Sequence, residues 1–413
     1  MKLQRKIHWY LLTALTLFFV CLAAKAYTEP ITALSGVPSL SSLKKFYSVP
    51  NFKIGGEYEF GNEAAYDFGG KGGVTLESLG QEPLRVAYIA VGTPERDANG
   101  KIINAVIISP YYSGDSTFSY FFWYEGQKGN AFCRGPVVGP GKLIDTNKYY
   151  VVFLDALGLW GASKPSDGLG MKFPQYNVYD FVQANYRLLK DELGVAKVKL
   201  ATGVSMGAIQ SYVWAILHPD YVEGIMPVGG MTGGDSIPRW LFQLMTAAMK
   251  SDPVWQETRG NYYNLPKEKH PNRGMMFGWS VLGETGLTFD FRNSQPWDVV
   301  KKEVFYWEPK GEEGLNLQAK ARDYDVNDLL YRNEWMPGYD INALLDRIKA
   351  KTLIIQVKDD QWLRYKMAEK TAKAIKGAKL VGFESPLAHY ASFRGPNMAM
   401  IEVIDFFKSL DKK

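Results

Sequence analysis

Cysteine is almost missing from this chain, with only Cys21 and Cys133 among 413 residues. Histidine is nearly as scarce: His8, His218, His270 and His389 are scattered without ligand spacing, so no metal site is expected. Charge of one sign is lacking as well. No Lys/Arg cluster interleaved with aromatics occurs, which argues against a nucleic-acid partner. A phosphate-cradling loop is also absent, because GGKGG (69–73) has no Ser/Thr and helix behind it, and no cofactor is expected.

Long apolar runs are missing too. WYLLTALTLFFVCLAA (9–24) stops short of the roughly 20 residues a spanning helix needs. Lys2, Arg5 and Lys6 precede it and the small-x-small Ala24-Lys25-Ala26 follows, the pattern of a secretory signal peptide over residues 1–26. An uncleaved anchor is the alternative. Cleavage predicts a periplasmic or secreted protein with no stable membrane insertion. Losing Lys2, Arg5, Lys6 and Lys25 from 48 basic side chains leaves 44 against 43 acidic ones, so the basic pI belongs largely to the leader. Cys133 then stands alone, which excludes an intramolecular disulfide.

What is present is a large apolar fraction, 46%, enough for a substantial core. Residues 27–75 show no clear period and are read as an extended N-terminal segment. From Leu76 onward short β-branched runs recur: LESLG, LRVAYIAVG, AVIISP, KYYVVFLDALG, VKLATG, GIMPVGG, TLIIQV and AKLVGF. Helix-period segments such as 179–193 and 364–376 alternate with them, which predicts an α/β fold with a mostly parallel sheet covered on both faces. About 120 residues separate the strand ending at Gly230 from the one starting at Thr352, too long for a bare connection. A helical cap is expected there. The resulting division is a core over 76–232, a cap over 233–345 and a second core part over 346–413.

Gly203-Val204-Ser205-Met206-Gly207 sits where a strand turns into a helix and matches a nucleophile elbow. A serine nucleophile needs a base. His8 lies in the leader, His218 closes the helix after the elbow and is read as structural, and His270 lies in the charged stretch KEKHPNR and is read as solvated. His389, after the last strand, is the expected base. Asp359 and Asp360 follow TLIIQV directly, and Asp360 is chosen as the acid, completing the α/β-hydrolase order Ser, Asp, His. The oxyanion donors are expected to be the Met206 N–H and, from SPYYSGD after the third strand, the N–H of Tyr112 rather than Tyr111. Tyr111 and Trp279 are assigned to the substrate pocket.

The chain resembles the homoserine O-acetyltransferases of the α/β-hydrolase superfamily over about 76–393. NAVIISPYYSGDS, GPGKLIDTNKYYVVFLDALGLWGAS, TGVSMGAIQSYVWAILHPDYV and TAAMKSDPVWQETRGNYY carry the likeness. The resemblance implies Ser205 as acyl-accepting nucleophile, Asp360 as acid, His389 as base, and a cap that pairs two copies, hence a homodimer. GMMFGW departs from it, ending in Trp279 where the family carries an arginine thought to hold the homoserine carboxylate. An indole makes no bidentate contact of that kind; Arg273 and Arg292 are the candidates to replace it. Acetyl-CoA is cytoplasmic, so an exported chain is expected to hydrolyse small-molecule carboxylic esters. An O-acyltransferase is the alternative, followed by a non-catalytic binding protein of the same fold.

Overall fold

The computed structural model describes residues 42–56, 73–125, 135–297 and 324–412. The expected signal peptide, Cys133, most of GGKGG and the stretch 298–323 lie outside the described residues. Among the described residues no helix is long and apolar enough to cross a membrane, and no group of three metal-ligating side chains occurs.

An eight-stranded sheet is the frame. Its strands are β1 (Lys45–Val49), β2 (Leu84–Gly92), β3 (Ala105–Ser109), β6 (Tyr150–Leu154), β7 (Val198–Val204), β8 (Gly224–Val228), β9 (Lys351–Val357) and β10 (Lys379–Phe383). β4 (Val138–Gly139) and β5 (Ile144–Asp145) form a separate short pair. The order is β1-β2-β6-β3-β7-β8-β9-β10, parallel from β6 to β10 and antiparallel where β2 meets β6 and β1. β3 is buried throughout because both faces are covered. Ala105 and Ile107 join one core with α2 (Val178–Arg187) and α3 (Met206–Leu217), while Val106 and Ile108 join the opposite core with Tyr120 of α1 (Ser116–Tyr120) and the C-terminal helix Met400–Asp411.

One strand expectation fails here. LESLG is not a strand: Glu77–Leu79 is a 3-10 turn, held by Thr75 hydrogen bonds to Ser78 and closed by Gly80 at φ 74°. The segment before residue 75, in which no motif was found, supplies β1. An edge strand with one buried residue, Val49, carries almost no apolar period. Lys44 just before it reaches Asp115 and Asp155 at 2.7 and 2.8 Å, tying this segment to the loops after β3 and β6.

Between β8 and β9 lies the cap, comprising α4 (Ser236–Lys250), α5 (Pro253–Thr258), α6 (Asn272–Thr285), α7 (Phe289–Asn293) and α8 (Val326–Glu334) among the described residues. α4 and α6 lie close because Gly274 and Gly278 face α4; a Cβ at Gly278 would sit 2.8 Å from the Met249 side chain. α9 (Tyr365–Ala374) then connects β9 to β10.

Candidate active site

Ser205 follows β7 directly and precedes the first residue of α3, at φ 58° and ψ −116°. Such a backbone costs a non-glycine residue of order 1–3 kcal/mol and lifts its side chain out of the strand. The turn closes only because its flanks are glycines. A Cβ on Gly203 would lie 2.6 Å from the Ser109 carbonyl oxygen, and one on Gly207 would strike the same atom. Met206, as first residue of α3, has an N–H with no acceptor four residues back in the helix.

His389 lies in the turn after β10, and its Nε2 is 2.8 Å from Ser205 Oγ. Nδ1 on the other side of the ring is 2.7 Å from Asp360 Oδ2. Asp360 is buried, and its Oδ1 accepts N–H bonds from Trp362 and Leu363, both at 2.9 Å, so the tight turn after β9 aims the carboxylate. Asp359 turns elsewhere and accepts from the Ser385 N–H. The cap also steadies His389: the Gly286 carbonyl accepts its backbone N–H at 3.1 Å, and the Trp362 ring lies 4.5 Å from the imidazole while its indole N–H donates to Thr285. This chain of contacts can pass a proton from a hydroxyl to an imidazole backed by a buried carboxylate.

Beside Ser205 is a cavity of about 30 Å³, walled by Tyr112, Met206, Ile209, Phe242, Leu282 and Trp362 among others. Its lining contains no lysine or arginine. Of the two residues assigned to the pocket, neither lines it. Tyr111 turns into the opposite core, edge-on to Phe393 at 4.9 Å, because Gly114 leaves space for its ring. Trp279 lies one layer back, 6.1 Å from the Tyr112 ring and 5.0 Å from Tyr324. Tyr112 itself does face the cavity. Arg273 and Arg292 are not among the lining residues either.

The other two described histidines, His218 and His270, are held away from Ser205. His218 stacks on Tyr186 at 3.9 Å and bonds Gln183, and burial, helped by Lys190, lowers its pKa to about 4. His270, expected to be solvated, is half-buried against Tyr262 and within 3.1 Å of the Leu265 carbonyl. It borders a separate open groove of about 700 Å³ with Trp160, Tyr324 and Asp325.

A family model described as alpha/beta hydrolase fold matches residues 139–396, from before β5 to the turn after His389. The chain belongs to the α/β-hydrolase family. Within this α/β hydrolase family it is similar to the homoserine O-acetyltransferase of Desulfotalea psychrophila, 28% identical over 285 residues that cover 65% of this chain and 66% of that one. It is also similar to a probable esterase of Corynebacterium glutamicum, 25% identical across 80% of this chain and 91% of that protein. The chain spans less than two thirds of the length of the acetyltransferases it matches first: 66%, 59% and 58%. The solved structure of esterase E22 superposes with a TM-score of 0.66 at 22% identity, covering 88% of this α/β hydrolase and 99% of that chain, a likeness of fold.

Sequence reasoning passed over Trp362, although it stands two places after Asp360. It also passed over Arg332 and Asn333, whose signal was present: Leu329 and Arg332 share one buried helix face, an unusual place for a guanidinium.

Proposed function

We propose that this protein is an exported serine hydrolase of carboxylic esters with short acyl groups, working through a Ser205-His389-Asp360 triad. The observation that carries this reading is the pair of hydrogen bonds, 2.8 and 2.7 Å, joining the three side chains on a strained elbow. Ser205 Oγ attacks the ester carbonyl carbon while His389 Nε2 takes its proton. The oxyanion is held by the N–H groups of Met206 and Tyr112. As the carbon–oxygen bond to the alcohol breaks, His389 returns the proton to the leaving oxygen. Water then attacks the acyl-enzyme, giving its proton to His389, and the carboxylic acid leaves as Ser205 regains its hydrogen.

The cavity beside Ser205 supports a short acyl chain, since about 30 Å³ among apolar side chains takes little more than an acetyl methyl. Trp279, where the resemblance would have an arginine for the homoserine carboxylate, favours hydrolysis over that transfer. The residues expected to form the leader support export.

An O-acyltransferase forms the same acyl-enzyme and differs in what resolves it; the likeness to homoserine O-acetyltransferases favours this second reading. A p-nitrophenyl ester series with and without an alcohol acceptor separates the two, alongside Ser205→Ala. Acetate release that ignores acceptor and drops by about 10⁴-fold or more in Ser205→Ala is expected. A burst of one equivalent followed by turnover only with acceptor would establish the transferase, and activity retained in Ser205→Ala would end both readings.

A further inference from the structure

Arg332 is fully buried in α8 of the cap, with none of its surface exposed and no carboxylate partner among the described residues. An unpaired buried cation is costly, so the guanidinium must be held by other groups. Nη1 donates to the Tyr112 carbonyl at 2.6 Å, and Nη2 donates to the Ala156 and Leu157 carbonyls, each at 2.8 Å. The next residue, Asn333, accepts the Tyr112 hydroxyl with Oδ1. Two consecutive cap residues thus grip one tyrosine at both ends, backbone and side chain. Tyr112 is also a wall of the Ser205 cavity, whose lining supplies no cation of its own.

From this geometry we infer that Arg332 and Asn333 are positioning residues for the oxyanion site, holding Tyr112 from the cap by its carbonyl and its hydroxyl, and through them its N–H, and placing an unneutralised positive charge behind it. The inference rests on the hydrolase reading above. Three carbonyl dipoles solvate the guanidinium without cancelling its charge, and in the interior its field is poorly screened by salt. The imidazolium that forms on His389 has Asp360 as its counter-charge. The oxyanion has no such partner in the cavity lining, and Arg332 behind Tyr112 fills that role at one remove. Docking of the cap and readiness of the oxyanion site are thereby one event.

The test compares Arg332→Lys, Arg332→Gln and Arg332→Met with wild type on p-nitrophenyl acetate, kcat being referred to sites counted by end-point fluorophosphonate labelling of Ser205. Arg332→Met is expected to lose about 10²-fold in kcat, the cost of a missing oxyanion donor, with KM changed less than about threefold. Arg332→Lys should recover about tenfold of that loss through its retained charge. Asn333→Ala, which leaves the guanidinium in place, should lower kcat about tenfold, again without a matching rise in KM. Should Arg332→Met fail to fold, the order of Lys above Gln carries the same test. A folded Arg332 variant with wild-type kcat per labelled site, or a loss residing wholly in KM, overturns the inference. Failure of the hydrolase reading looks different: wild type would then give a one-equivalent burst and turn over only with an alcohol acceptor, or turnover would survive Ser205→Ala.

Discussion

Asp359 and Asp360 are adjacent and chemically identical, yet one bonds the His389 imidazole and the other a backbone N–H of Ser385. The difference lies in the turn after β9, whose N–H groups at 362 and 363 capture Asp360 Oδ1 and leave Oδ2 for the ring. Asp360→Asn should therefore lower kcat by about 10⁴-fold, because an amide stabilises the wrong imidazole tautomer. Asp359→Asn should stay within a few-fold of wild type in the same ester assay. At His218 the folded pKa of about 4 lies below the ordinary 6.5, through burial first and Lys190 second. Between those values the unfolded chain binds the additional proton, so this contribution is intact above about pH 6.5 and is lost as pH falls toward 4. His218→Gln should flatten the fall in stability across that window by up to about 1.4 kcal/mol per pH unit, read by urea unfolding at pH 5 and 7.

The elbow and the cap helices wall the cavity beside Ser205. Gly207→Ala would drive a methyl into the Ser109 carbonyl, and a loss of about 1–3 kcal/mol is expected by thermal unfolding, with activity falling alongside. Phe242 from α4 and Leu282 from α6 close the cavity on the cap side. Phe242→Ala and Leu282→Ala should shift the preferred p-nitrophenyl ester from acetyl toward butyryl or hexanoyl; an unchanged acetyl optimum would mean the acyl group lies elsewhere. The parallel strands were legible because burial on both faces leaves near-continuous apolar runs, as in AVIIS and VKLATGV. β1 was not, since its pairing with β2 is specified by partners 35 to 43 residues away rather than by its own pattern.

For the whole molecule, Ile237, Trp240 and Leu244 are exposed on one helix of the cap, α4, the face that the homodimer implied by the resemblance would cover. Light scattering should give twice the chain mass for wild type and a monomer for Trp240→Glu; a monomeric wild type ends the homodimer expectation. The sequence by itself determined the α/β class, the elbow with its two glycines, and the order of Ser205, Asp360 and His389, because each depends on local periodicity or short-range turn chemistry. Only the tertiary structure decided that Tyr111 and Trp279 stand off the cavity, that Trp362 lines it, and that Arg332 reaches back to Tyr112. Those facts join residues up to 220 positions apart, and such contacts arise from how layers pack, which no local pattern records.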